Sequence, residues 1–180
     1  MATTTAPAPL YLGFLTVLHE AGGYVGGYLV TNAWGRPLEF RLSTAVQPNK
    51  VQQILYGGTL EPYICADLIG KTLVEKTSLP IQVVVTDREA VLELRHRIEV
   101  PVIWVTPPDA PTGEGTEVFA AKNGLGPVLC HAGFPQDVAA VRALLGKNDA
   151  GLDLSEPFAR IREAIGEARK TGAMTRGSAA

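Results

Sequence analysis

Between Leu10 and His19 apolar residues fill both alternating sets of positions. Leu12, Phe14, Thr16 and Leu18 form one set; Tyr11, Leu15 and Val17 form the other. That pattern predicts a strand buried on both faces. Glu20-Ala21-Gly22-Gly23 then marks a turn, and Tyr24 to Asn32 predicts a second strand. Gly26 and Gly27 lie in its middle, where glycines signal a bulge or the close approach of another segment. After the turn at Asn32-Ala33-Trp34-Gly35, Leu38, Phe40 and Leu42 alternate with Glu39, Arg41 and Ser43. This predicts a half-exposed strand near a sheet edge. Three consecutive strands with short links make an antiparallel meander.

The period then becomes helical. Pro48-Asn49 caps a run that begins at Lys50 and carries Val51, Ile54 and Leu55 on one face. Gly57-Gly58 interrupts it. Thr59 is placed to cap a second helix, with Pro62 in its first turn, where a missing N–H costs little. Leu60, Ile64, Leu68, Ile69 and Leu73 give this helix a wide apolar face that must pack on the sheet. Ile81 to Thr86 predicts a buried strand, Arg88 to Ile98 a short charged helix, and Pro101 to Thr106 another strand, together a parallel βαβ unit. Pro107 to Gly115 is a Pro- and Gly-rich loop. Glu117 to Ala121 and Gly126 to His131 form either a hairpin or two extended segments. Phe134 to Leu145 predicts a helix stopped by Gly146. In the last helix Ser155 is the cap, Phe158, Ile161, Ile165 and Ala168 recur at helical spacing, and Gly172 ends it.

Composition narrows this picture. The chain has 180 residues, 46% of them hydrophobic and 19% charged, enough for one domain with its own core. We expect a single α/β domain over residues 10–172, between a flexible N-terminal tail (1–9) and a disordered C-terminal tail (173–180). The formal net charge is -2, from 16 basic and 18 acidic residues, so no strong basic field draws in nucleic acid. The first residues lack the basic start of a signal peptide, and no apolar stretch is long enough to span a bilayer. A cytoplasmic protein without membrane contact is expected, with its two cysteines, Cys65 and Cys130, reduced and buried.

Candidate chemistry is sparse. His19-Glu20 joins an imidazole and a carboxylate at a strand end, and reads as a polar end meeting solvent. Cys130 and His131 are adjacent in an extended segment and so point to opposite faces. No CxxC or HxxxH spacing indicates zinc. The glycine pairs match neither GxxxxGK[ST] nor GxGxxG, so they are turn and packing positions and no nucleotide cofactor is expected. Arg88, Arg95, His96 and Arg97, interleaved with Glu89, Glu93 and Glu99, predict a solvated, salt-bridged face. Trp34, a large aromatic at a turn tip, and its neighbour Arg36 are the candidates for partner binding.

The order of three antiparallel strands, helix, strand, helix, strand resembles the start of the ribonuclease H-like superfold. The resemblance covers about the first hundred residues, roughly one small domain. Nuclease members hold divalent metals on carboxylates in the first strand, on the first helix and at the end of the fourth strand. Asp87, closing Val83-Val84-Val85-Thr86-Asp87, matches the third position, and Glu61 matches the second. The first strand departs from the pattern: Leu10 to Leu18 contains no carboxylate, and Glu20 would have to serve from beyond it. The resemblance therefore implies Glu20, Glu61 and Asp87 as ligands of Mg²⁺ or Mn²⁺ only if the chain is a metal-dependent nuclease or phosphotransfer enzyme. The hairpin from Gly27 to Leu38 also resembles those of small roadblock, longin or profilin-type adaptor domains. Because the catalytic set is incomplete, the expected function is a non-catalytic interaction or regulatory module, a small subunit working with a protein partner. The nuclease and a non-catalytic nucleic-acid-binding domain stand as alternatives.

Overall fold

A computed structural model describes residues 8–110, 115–122, 124–146 and 152–172. Residues 1–7 and 173–180 of the expected tails lie outside the described residues. The described residues form a seven-stranded mixed sheet in the order β3-β2-β1-β4-β5-β7-β6, with helices on both faces. β1 (Leu12–Glu20) pairs antiparallel with β2 (Gly23–Thr31), which pairs antiparallel with the edge strand β3 (Pro37–Leu42). β1 also pairs in parallel with β4 (Val83–Thr86), and β4 with β5 (Val102–Val105). The meander followed by a parallel βαβ unit is the arrangement that the ribonuclease H-like resemblance implies. β6 (Thr116–Phe119) and β7 (Val128–Cys130) form the hairpin alternative, with β7 added antiparallel to β5. Among the described residues no helix is long and apolar enough to cross a membrane.

β1 and β2 are apolar on both faces because both faces are covered. On one face lies a kinked helical rod. It starts with α1 (Lys50–Tyr56), passes through a 3-10 turn (Gly57–Thr59) and α2 (Leu60–Pro62), and continues as a π-type stretch (Tyr63–Gly70) into α3 (Lys71–Glu75). Ile64, Cys65, Ile69 and Leu73 of this rod are buried against Leu15, Val17 and Tyr28 of the sheet. On the other face lie α4 (Gln136–Leu145) and α5 (Glu156–Lys170). Phe158, Ile161 and Ile165 of α5 are buried with Phe14, Leu29 and Val85, and the Phe14 and Phe158 rings meet edge-on at 5.7 Å.

The glycine pair of β2 explains how close these layers come. A Cβ on Gly26 would collide with Ile69 of the rod, and one on Gly27 with Ile161 of α5. The two neighbours point to opposite faces of the strand, so each admits one helix.

Several local expectations change. α1 has the Asn49–Gln52 capping box foreseen at its start, but it buries nothing: Val51, Ile54 and Leu55 are 62–77% exposed. Thr59 donates its hydroxyl to Tyr56 O and caps no helix. Ser155 is the N-cap residue of α5 as foreseen, but its side chain makes no capping bond; Asp153 Oδ1 accepts from the Ser155 N–H and hydroxyl and from the Glu156 N–H instead. In β3 Glu39 is half-buried, as are Arg41 and Leu42, and accepts from Arg41, Thr77 and Ser78, while Leu38 and Phe40 are about two-fifths exposed. Burial alone would raise the Glu39 pKa; these hydrogen bonds outweigh it and hold the carboxyl below its ordinary value. The Arg88–Ile98 helix is a 3-10 helix over Glu89–His96. Arg95 from that helix makes a bidentate pair with Asp137 of α4 (2.7 and 3.3 Å), and the Asp137 side chain is only 4% exposed.

Two changes test this packing. Gly27→Ala forces a methyl into Ile161 and should cost about 1–3 kcal/mol, the usual price of overfilling a core, read as a lower urea midpoint. Asp137→Ala strands the Arg95 guanidinium and should cost about 3–5 kcal/mol in the same measurement.

Candidate functional site at the ends of the central strands

β1 and β4 lie side by side and parallel, so their C-terminal ends emerge at the same edge of the sheet. Leu15 pairs with Thr86, which puts Asp87, one residue later, alongside Thr16. By strand alternation Thr16, Leu18 and Glu20 share the α5 face with Phe14, and Asp87 shares it with Val83 and Val85. Glu20 is four residues beyond Thr16, roughly 13 Å at the usual strand rise.

Each expected acidic ligand is engaged by a different arginine. Asp87 Oδ2 accepts from Arg162 of α5, Glu20 from Arg169 of α5, and Glu61 from Arg88 at 2.9 Å. Glu20 and Asp87 thus share one face, under α5, whereas Glu61 belongs to the rod on the other face. The structure does not gather the three carboxylates around a common point. It does leave two buried oxygens unpartnered in the Thr16–Asp87 neighbourhood: Thr16 Oγ1 and Asp87 Oδ1. A buried acceptor without a partner costs about 1–3 kcal/mol and calls for an explanation.

The arginines of α5 carried no sequence motif. The available signal was spacing: Arg162 and Arg169 are seven residues apart and flank the apolar stripe Phe158, Ile161 and Ile165, so both emerge on the same side of the helix. His19 is turned to the other face, stacked on Tyr24 at 3.9 Å, so it forms no pair with Glu20 across the strand end. Trp34 is 80% exposed at the β2–β3 turn, and Arg36 is exposed beside it. The turn is fixed by Asn32 Oδ1, which accepts from the N–H groups of both residues. Trp34 lines a cleft of about 410 Å³ with Gly35, Glu156, Pro157 and Arg160.

Cys65 and Cys130 are buried and unbridged. Burial pushes the Cys65 thiol up to about 12, with the Glu61 charge adding to the rise and Arg88 opposing it. It is therefore a core residue and not a nucleophile. Burial also raises Cys130, and the nearby Asp137 adds to this.

No protein-family profile matches the chain, and no curated protein matches it. Among solved structures it is similar to endonuclease V from Bacillus subtilis (10% identity, TM-score 0.46, over 95% of this chain and 83% of that one). It is also similar to Ciona intestinalis endonuclease V in complex with inosine-containing DNA (11%, 0.44, 74% and 76%). A further likeness is to Marinitoga piezophila Argonaute in complex with guide RNA (11%, 0.33, 66% and 22%). These are likenesses of fold outline. The expectation of a non-catalytic subunit is corrected here, since the solved structures of similar outline include nucleases.

The thiol generates a pH prediction. Its folded value lies above its ordinary value of 9.0, so its contribution to stability is complete below pH 9 and is lost as pH rises toward about 12. The urea midpoint should fall across that window, and less steeply in Cys65→Ala, where Tyr28, also raised by burial, remains.

Proposed function

We propose that this chain is a metal-dependent nuclease of the ribonuclease H-like type that holds one divalent cation, Mg²⁺ or Mn²⁺, at Asp87. The observation that carries the reading is Asp87 Oδ1, sealed from solvent at the end of β4 with no hydrogen-bond partner, alongside the unpartnered hydroxyl of Thr16. A hard cation seeks such oxygens. The donor set suits one ion and not two, because Glu20 is too far along β1 and Glu61 is on the other face. Mg²⁺ is commonly held by one or two carboxylates, with waters and substrate phosphates completing its shell. A bound cation would polarise a phosphoryl oxygen and acidify a water.

The protein's own residues do the rest. Asp87 supplies the fixed negative charge. Arg162 is about half exposed and held at Asp87 Oδ2, within reach of a substrate phosphate brought to that carboxylate. Arg169 stands over Glu20 in the same way. Trp34 and Arg36, the expected partner-binding pair, then serve the nucleic acid: the indole offers a face on which an unpaired base stacks. The buried, unbridged thiols support a cytoplasmic location.

The test is cleavage of labelled single-stranded DNA, duplex DNA, RNA and inosine-containing DNA with Mg²⁺ or Mn²⁺. Metal-dependent cleavage should fall at least 100-fold in Asp87→Asn. Arg162→Ala should raise KM and flatten the salt dependence. No cleavage with either metal, or cleavage indifferent to Asp87→Asn, removes the reading.

A further inference from the structure

A second constellation lies outside the Asp87 site, beyond the C-terminal end of β7. We propose that Glu93, His96 and His131 form a binding site for a borderline divalent cation of the zinc class. One donor atom from each of the three lies within 4.8 Å of the others. Glu93 and His96 are three residues apart on a 3-10 helix, where positions i and i+3 eclipse, so the two side chains stand one above the other. β7 ends at Cys130, whose side chain is buried in the core, and alternation sends the next side chain, His131, outward to meet them.

The rings are held before any ion arrives. His96 and His131 meet edge-on at 4.6 Å, and both pack against Phe134, at 5.1 and 5.6 Å. Phe134 is covered in turn by the Arg95 guanidinium at 4.1 Å, which the buried Asp137 anchors. Ligands fixed in this way lose little freedom on binding. Two imidazoles and one carboxylate suit Zn²⁺ and its neighbours, whereas Mg²⁺ and Ca²⁺ prefer oxygen alone. Three protein ligands leave a fourth position open. Glu93 also lines a cleft of about 500 Å³ with Tyr56, Tyr63, Asp67 and Arg97, which gives an exogenous ligand a route to that position.

The proton arrangement says how the site loads. The Gly133 N–H donates to His131 Nδ1 at 2.9 Å, which puts the imidazole proton on Nε2, facing Glu93 Oε1 at 3.1 Å. For Nε2 to bind a cation the proton moves to Nδ1, and the Gly133 amide must turn away. A glycine in a turn makes that rotation easy. The cation thus replaces the His131–Glu93 hydrogen bond, breaks the one from the Gly133 N–H and re-aims the turn that carries it.

The experiment titrates the full chain with Zn²⁺ by calorimetry and follows the Gly133 amide by NMR. One equivalent should bind and move that resonance. Affinity should fall at least tenfold in His96→Ala and in His131→Gln, each checked for folding by circular dichroism. Asp87→Asn should bind as the unaltered protein does, which separates this site from the nuclease reading. No saturable binding, equal affinity in either histidine variant, or loss in Asp87→Asn overturns the proposal.

Discussion

The structure turns on the contact of two isoleucines with two consecutive glycines. Ile69 and Ile161 come from opposite layers and close on Gly26 and Gly27 of β2, where any larger side chain would hold them off. Because successive strand residues face opposite ways, one dipeptide admits a helix on each side. The two cores, one containing Tyr28 and Ile69 and one containing Phe14 and Ile161, lie on either side of this contact. α5 is held by this contact at its middle, and its arginines therefore fall over the ends of β1 and β4. The position of the candidate site follows from packing rather than from any attraction between the charges themselves.

The first hundred residues were legible because their patterning is strong. β1 read as doubly buried because it is, and of the two readings of the glycine pair in β2, a bulge or a close approach, the second holds because two helices need it. β3 read as an edge strand, yet its inward-leaning side chain is Glu39, since three donors from Arg41, Thr77 and Ser78 satisfy a carboxylate there. Val51, Ile54 and Leu55 repeat at helical spacing and form a helix, but periodicity reports only that an apolar face exists, not that anything covers it. Ser155 and Thr59 stand at the N-cap positions of α5 and α2, but neither side chain caps: Asp153 Oδ1 accepts the first N–H groups of α5, and the Thr59 hydroxyl donates to Tyr56 O.

The sites were harder to read, for a physical reason. Asp87 could be found because it ends a strand. Its meeting with Arg162 depends on a helix 75 residues away in sequence, and Glu93 with His131 on the pairing of β7 with β5. Such contacts are fixed by tertiary geometry and leave no local pattern. The absence of a carboxylate within Leu10–Leu18 was legible, and it matters more in three dimensions than along the chain. The residue alongside Asp87 is Thr16, a neutral hydroxyl, so the centre of the sheet edge carries one negative charge where two would stand in a two-metal arrangement.

The place of α5 in chain order has a kinetic consequence. All seven described strands precede it, yet it supplies Phe158, Ile161 and Ile165 to the core on one side of the sheet. During synthesis the strands and α4 emerge first, and the part of that side over Phe14 and Leu29 stays uncovered until α5 follows. Until α5 arrives the growing chain is a sandwich missing part of one layer, its sheet dependent on a helix made after it.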